Sequence, residues 1–138
     1  MVHVFTYGSL MFDPVWSRIV AGNYDRCDAI LHGYDRKGVR GEVYPVLVPS
    51  SMHSQVQGIV YFDVSESDLS RLDRFEGEYY LRKTEQVVTE KKKSIPAEVY
   101  VLKEEYYSII SHNEWNAAYF STTGIKFFMG SYLKTEEH

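Results

Sequence analysis

The chain opens with a short apolar run, Val2, Val4 and Phe5, which reads as a first strand and leads straight into Tyr7-Gly8-Ser9-Leu10. Asp13-Pro14 then predicts a helix start, with Asp as N-cap and Pro at the first helical position, where a missing N–H costs nothing. Val15, Trp16, Ile19 and Val20 give that helix one apolar face, and Gly22 is placed to stop it. Over residues 24–31, Cys27, Ala29 and Leu31 recur at every second position, the pattern of a half-buried strand, ended by His32-Gly33. Residues 37–41 are polar, contain glycine and read as a loop. Pro45 and Pro49 bracket Val46-Leu47-Val48, which makes that segment a short or edge strand because proline cannot donate to a ladder.

Residues 55–64 form a stronger strand, with Val56, Ile59, Val60, Tyr61 and Phe62 supplying β-branched and aromatic bulk. Gly58 within it marks a bulge or a close approach by another group. Ser65-Glu66-Ser67-Asp68 is a capping sequence, Leu69, Leu72 and Phe75 follow at helical spacing, and Gly77 stands where a helix would stop, so the spacing predicts a helix over 66–75. Residues 80–89 and 95–102 read as a hairpin around Lys91-Lys92-Lys93, the second strand alternating Ala97, Val99 and Val101 with Glu98 and Tyr100. In the final third, residues 104–110 and 115–120 are candidate helices, and Ile125, Phe127, Phe128 and Met129 are apolar enough to require burial. Five or six strands with a few short helices, and no repeat or linker, predict one α+β domain over residues 1–138 built on a curled, barrel-like sheet.

Composition narrows the function. The 138 residues suffice for one hydrophobic core without disulfides or structural metal. A formal net charge of −4 argues against a nucleic-acid surface, which needs cations to displace counterions, so a small-molecule or protein partner is expected. The lysine run at 91–93 is a solvated hairpin tip. A single cysteine, Cys27, excludes an internal disulfide and fits a reducing compartment. With no signal-like start and no long apolar stretch, a cytoplasmic protein without membrane contact is expected. Twelve tyrosines could line a cleft or sit with buried rings and surface hydroxyls.

Two segments carry candidate chemistry. A glycine at a strand end lets successive N–H groups of Tyr7 to Leu10 turn toward one point and bind an anion or oxyanion, although the same residues also suit an ordinary turn. Glu76 falls at the carboxyl end of its helix, where the macrodipole disfavours a carboxylate and raises its pKa toward the range of a general base. A solvent-facing Glu beside a helix stop is the alternative. Asp73 and Glu78 are nearby carboxylates, and Asp73, three residues earlier, shares the Glu76 face. His3, His32, His53, His112 and His138 show no metal-ligand spacing, no serine lies in a G-x-S-x-G elbow, and no lysine-bearing phosphate loop follows a strand.

Tyr7-Gly8-Ser9-Leu10, the strand Gly58-Ile59-Val60-Tyr61, and Leu72-Asp73-x-Phe75-Glu76-Gly77 leading to Tyr80-x-Arg82 together resemble the γ-glutamylcyclotransferase-like family, which includes γ-glutamylamine cyclotransferases and AIG2-like proteins. The resemblance covers roughly residues 2–102, with the motifs in the family's order. It implies a small mixed β-barrel with flanking helices. It also implies that Tyr7, Gly8, Ser9 and Leu10 hold the γ-glutamyl part of a small-molecule substrate, that Glu76 is the general acid/base, and that Tyr80 hydrogen-bonds substrate. The implied transferase or lyase reaction closes the glutamyl chain to 5-oxoproline and frees an amine, with no metal and no cofactor, because the nucleophile is the substrate's own α-amine. The Glu76 to Tyr80 spacing is tighter than in many members, and residues 115–133 match nothing in the family's pattern. Two other readings stay open: a binding module of the same fold without catalysis, and a related acyl or amine transfer.

Overall fold

The structure, a computed structural model, describes residues 2–40, 42 and 44–114. In chain order its elements are β1 (Val2–Thr6), α1 (Asp13–Ile19), β2 (Arg26–His32), β3 (Tyr34–Val39), β4 (Pro45–Pro49), β5 (Gln55–Val64), α2 (Glu66–Glu76), β6 (Tyr80–Thr89), β7 (Ser94–Leu102) and β8 (Ile110–Glu114). Short 3-10 turns occupy Ser9–Met11 and Glu104–Ile109.

Five strands close into a barrel in the order β1-β5-β2-β6-β7. All its pairings are antiparallel except the closing one, where β1 meets β7 in parallel at Val4 and Glu98, so the barrel is mixed as expected. Alternate positions of every barrel strand, among them Phe5, Leu31, Val60, Val87 and Val99, fill the interior as one buried cluster. The opposite positions Val4, Tyr61, Val64 and Tyr100 pack outward against Val15, Trp16 and Ile19 of α1 and Leu69 and Leu72 of α2. Each such side chain contributes about 1.5–3 kcal/mol when fully buried. Trp16 stacks on Tyr61, ring centroids 3.6 Å apart, and this contact seats α1.

Gly58 marks a close approach. A Cβ there would collide with the Thr6 carbonyl oxygen and come within 2.6 Å of the Phe5 ring, so only glycine lets Phe5 fill the barrel. The irregularity in β5 lies at its other end, where Val2 pairs with Val64 but Val4 with Tyr61, and Asp63 adopts φ 53°.

Beside the barrel stands a three-stranded sheet, β4-β3-β8, with the proline-bracketed strand at its edge. Two of its strands depart from the sequence reading. Residues 37–39, read as part of a loop, complete β3, and Gly41 falls outside the described residues. The strand pairs with β4 from Tyr34↔Pro49 to Gly38↔Pro45, so backbone pairing holds a segment whose side chains are mostly polar. The helix considered over 104–110 is a 3-10 turn, after which β8 returns to pair with β3.

The ends of α1 also differ. Phe12 is the N-cap, Asp13 the first helical residue and Pro14 the second. The Asp13 carboxylate is drawn instead to Arg26, 2.7 Å away. The helix closes at Val20, and the Gly22 amide serves Asp68 of α2. Helix α2 and the β6–β7 hairpin form where the spacing placed them, with Ser65 accepting from the Asp68 N–H and Gly77 following the last turn at φ 78°. The candidate helix at 115–120 and the apolar group Ile125, Phe127, Phe128 and Met129 lie outside the described residues. Among the described residues no helix is long and apolar enough to cross a membrane.

Candidate active site

One end of the barrel carries the site. As β1 leaves the barrel after Thr6, Gly8 passes so close to β4 that a Cβ would lie 2.5 Å from the Pro45 ring. The chain then winds into the turn at Ser9–Met11, closed by Met11 N–H to the Gly8 carbonyl at 3.0 Å and Phe12 N–H to the Ser9 carbonyl at 3.2 Å. Ser9 and Leu10 are buried. Tyr7 is fixed from both sides, since its hydroxyl donates to the Tyr100 carbonyl at 2.6 Å and the Arg36 guanidinium donates to its own carbonyl at 2.8 Å.

Opposite this loop, α2 ends at Glu76. The Gly77 amide donates to the Asp73 carbonyl at 3.1 Å, and the φ 78°, ψ −160° of Gly77 is a conformation that a side chain strongly disfavours. The reversal delivers Tyr80 into β6, where its hydroxyl donates to the Pro45 carbonyl at 3.0 Å. Pro45 thus abuts Gly8 and accepts from Tyr80, tying together the two segments that the sequence singled out.

Between them lies a cavity of about 360 Å³, within the range of small-molecule sites. All six residues singled out from sequence, Tyr7, Gly8, Ser9, Leu10, Glu76 and Tyr80, line it. So do Glu78, weighed from sequence as a carboxylate competing with Glu76, and Tyr44, Tyr79 and Tyr100, to which the sequence reading gave no site role. Tyr100 had a signal available, its place among the outward positions of β7 on the face covered by α2. Nothing local marks Tyr44.

Electrostatics distinguish Glu76 from every other carboxylate described. Its side chain is partly open to the cavity, yet protein surrounds it closely, and burial, helped by the negative charge of Asp73, pushes its pKa up to about 8. The sequence reading gave the helix terminus as the cause, and burial is the larger one. No hydrogen bond or ion pair holds the Glu76 carboxylate among the described residues. Burial likewise raises the hydroxyl pKa values of Tyr7, Tyr80 and Tyr100, so the tyrosines near Glu76 stay neutral donors. Asp73 does not bond to Glu76. It accepts from the Tyr100 hydroxyl at 2.6 Å and faces the Arg82 guanidinium at 3.0 Å. Among the described residues no three His, Cys, Asp or Glu side chains are grouped to hold a metal ion.

A family model described as gamma-glutamyl cyclotransferase, AIG2-like, matches residues 4–117. The Arabidopsis thaliana protein AIG2 C is 37% identical over 100 residues, 72% of this chain, and the chain spans only 60% of that relative's length. A solution structure of an Arabidopsis thaliana protein superposes with a TM-score of 0.72 at 30% identity, covering 99% of this chain and 82% of that one. A solved gamma-glutamyl cyclotransferase shares the fold, with a TM-score of 0.62 at 21% identity over 74% of this chain and 66% of its own. The chain belongs to the gamma-glutamyl cyclotransferase, AIG2-like family.

Proposed function

We propose that this protein is a γ-glutamylcyclotransferase, which converts a γ-glutamyl amine or peptide to 5-oxoproline and a free amine, with Glu76 as general acid/base. The observation that carries this reading is a carboxylate with a raised pKa, unpaired among the described residues, in the same cavity as the Gly8 turn.

Glu76, once ionised, takes a proton from the substrate's α-ammonium. The freed nitrogen attacks the γ-carbonyl carbon of the same molecule and closes a five-membered ring. The carbonyl oxygen becomes an oxyanion, and the attacking nitrogen, still bearing two hydrogens, carries one proton in surplus. Collapse breaks the bond to the departing nitrogen, which takes one proton from Glu76 and, directly or through solvent, the surplus proton of the ring nitrogen, and leaves as an ammonium. No water is consumed, and the enzyme ends in its starting protonation state. A pKa of about 8 lies close to that of an α-amine, so the first proton transfer is nearly balanced in energy. The loop from Gly8 to Leu10 supplies amide N–H groups for the α-carboxylate or the oxyanion, and the cavity holds the flexible glutamyl chain folded for ring closure. Tyr80 lines the same wall and orients the bound glutamyl group. Ser9 offers a hydroxyl contact and is not the nucleophile.

The test is release of 5-oxoproline from a panel of γ-glutamyl amines and peptides by wild type and Glu76→Gln. We expect turnover of at least one compound by wild type and a loss of about 10²–10⁴-fold in the variant. Because the base must be ionised, kcat/KM should rise with pH through about 8. Equal turnover by the two proteins would remove Glu76 from the mechanism, and no 5-oxoproline from any compound would favour a binding module.

A further inference from the structure

The polar groups flanking Glu76 form one connected chain that the mechanism above leaves unused. Asp73 sits one turn before Glu76 on α2, and its carboxylate oxygen Oδ1 accepts from the Tyr100 hydroxyl of β7 at 2.6 Å and faces Arg82 Nε of β6 at 3.0 Å. Arg82 continues through Nη1 to Glu98 Oε1 on β7 at 2.8 Å, and the other Glu98 oxygen accepts from the Thr84 hydroxyl of β6 at 2.5 Å. Glu98 stands where β7 meets β1 in parallel to close the barrel. The carbonyl of Tyr100 accepts from Tyr7, at the head of the Gly8 loop. Thus one network joins the last turn of α2, the β6–β7 hairpin and the substrate loop.

We propose that Asp73, clamped by Tyr100 and Arg82, is a positioning residue for Glu76: it fixes the last turn of α2 against β6 and β7 and sets a negative charge, partly balanced by Arg82, beside the Glu76 carboxyl. A purely mechanical anchor would not need this arrangement. Tyr100 alone could tether α2 to any acceptor, whereas an aspartate between a tyrosine and an arginine holds its charge at a set strength next to a base. The groups facing Glu76 from neighbouring elements are Tyr7 after β1, Tyr44 before β4, Glu78 and Tyr79 in the turn, Tyr80 on β6 and Tyr100 on β7. Burial keeps Tyr7, Tyr44, Tyr80 and Tyr100 neutral. Asp73 is 43% exposed, and Glu78 and Arg74 are exposed too, but Asp73 is held in place by Tyr100 and Arg82, and its charge adds to burial in raising the Glu76 pKa. Arg82 acts on Glu76 in the opposite sense, through Asp73.

This inference rests on Glu76 as the base, but its test does not need turnover. In the full-length protein, the Glu76 carboxyl is titrated by ¹³C NMR, its signal assigned by its loss in Glu76→Gln. Asp73→Asn keeps an oxygen for Tyr100 and removes the charge, and should lower the Glu76 midpoint by about 0.5–1 pH unit. Arg82→Gln removes the balancing cation and should raise it by a similar amount. Where 5-oxoproline is formed, the ascending limb of kcat/KM against pH should move in the same two directions. Loss of packing alone would shift both variants alike, by admitting water. Opposite shifts support the proposal, and should Asp73→Asn fail to fold, a raised midpoint in Arg82→Gln supports it alone, because admitted water would lower the midpoint. Unmoved midpoints, or shifts of one sign, overturn it. If the NMR shifts are opposite and no compound is cyclised, the positioning role stands and the cyclotransferase reading falls.

Discussion

Helix α2 carries a carboxylate at each end of its buried face, and the two behave in opposite ways. Asp68, in the first turn, is 2% exposed, and burial by itself would raise its pKa. It accepts, however, from the Ala21 amide at 2.9 Å, the Gly22 amide at 3.0 Å, the Tyr24 hydroxyl at 2.6 Å and Arg71 at 2.5 Å. Together these donors outweigh burial and hold its pKa down at about 2. Glu76, in the last turn, has no such donors among the described residues, and burial with the nearby Asp73 takes it to about 8. Both sit on one short helix, so the difference comes from the donors supplied. Asp68 joins α1 to α2 and stays ionised, whereas Glu76 is left able to change its protonation near neutrality.

The widest separation between the two should appear in catalysis. Glu76→Gln is expected to cost about 10²–10⁴ in kcat/KM, whereas Asp68→Asn, assayed at a temperature where it is folded, should leave kcat/KM unchanged. A comparable loss in both, measured as 5-oxoproline release, would mean that α2 acts as a whole.

In stability the ranking reverses. Asp68→Ala strands two amides and a hydroxyl that the carboxylate now satisfies, and should cost about 3–5 kcal/mol in urea unfolding. A cost under about 1 kcal/mol would mean that water replaces the carboxylate freely. Because the folded pKa lies below the unfolded 3.8, the contribution of Asp68 is complete above about pH 4 and is lost as pH falls through about 2. The pH-dependent share is about 2 kcal/mol.

Glu76 has the opposite sign. Its folded pKa lies above the unfolded value of 4.5, so the folded state holds the extra proton between pH 4.5 and about 8, and stability falls as pH rises across that window. Glu76→Gln removes the effect. The variant should be more stable than wild type by about 1–3 kcal/mol at pH 8, a gain that disappears near pH 4. Inactivation accompanied by stabilisation is what a strained functional group gives on removal. Thermal unfolding at the two pH values checks it, and equal stability at pH 8 would mean that the cavity hydrates Glu76 well.

Much of this contrast could be read along the chain. The cap at Ser65, the spacing of Leu69, Leu72 and Phe75, and the stop at Gly77 are local signals, and α2 formed where they placed it. The loop at Tyr7 and the carboxylate at Glu76 were legible for the same reason, each lying at a strand or helix end. The role of Asp68 was not. Its amide partners come from Ala21 and Gly22, nearly fifty residues away, and it was read only as part of a capping sequence. Strands β3 and β8 escaped because mutual backbone pairing holds them, with little hydrophobic alternation to announce it. Tyr44 reaches the cavity by the path of the chain into β4, which no sequence period encodes.

The smallest expected effect tests whether the two ends of α2 are independent. At the Asp68 end, Ser65 Oγ accepts from the Asp68 amide at 3.2 Å and donates to the Tyr24 hydroxyl at 3.1 Å, whose own proton goes to Asp68, and the Ser65 amide donates to Tyr24 at 3.2 Å. At the Glu76 end, the backbone of Gly77 alone ends the helix. Ser65→Ala removes the cap and one partner of Tyr24, so it should cost about 1 kcal/mol in urea unfolding. Tyr24 keeps its bond to Asp68, and nothing linking Ser65 to the cavity is disturbed. The Glu76 midpoint and kcat/KM should therefore match wild type. If the midpoint moves when the cap is lost, the last turn of α2 is held from its far end, and the network through Asp73 and Arg82 is not what fixes Glu76.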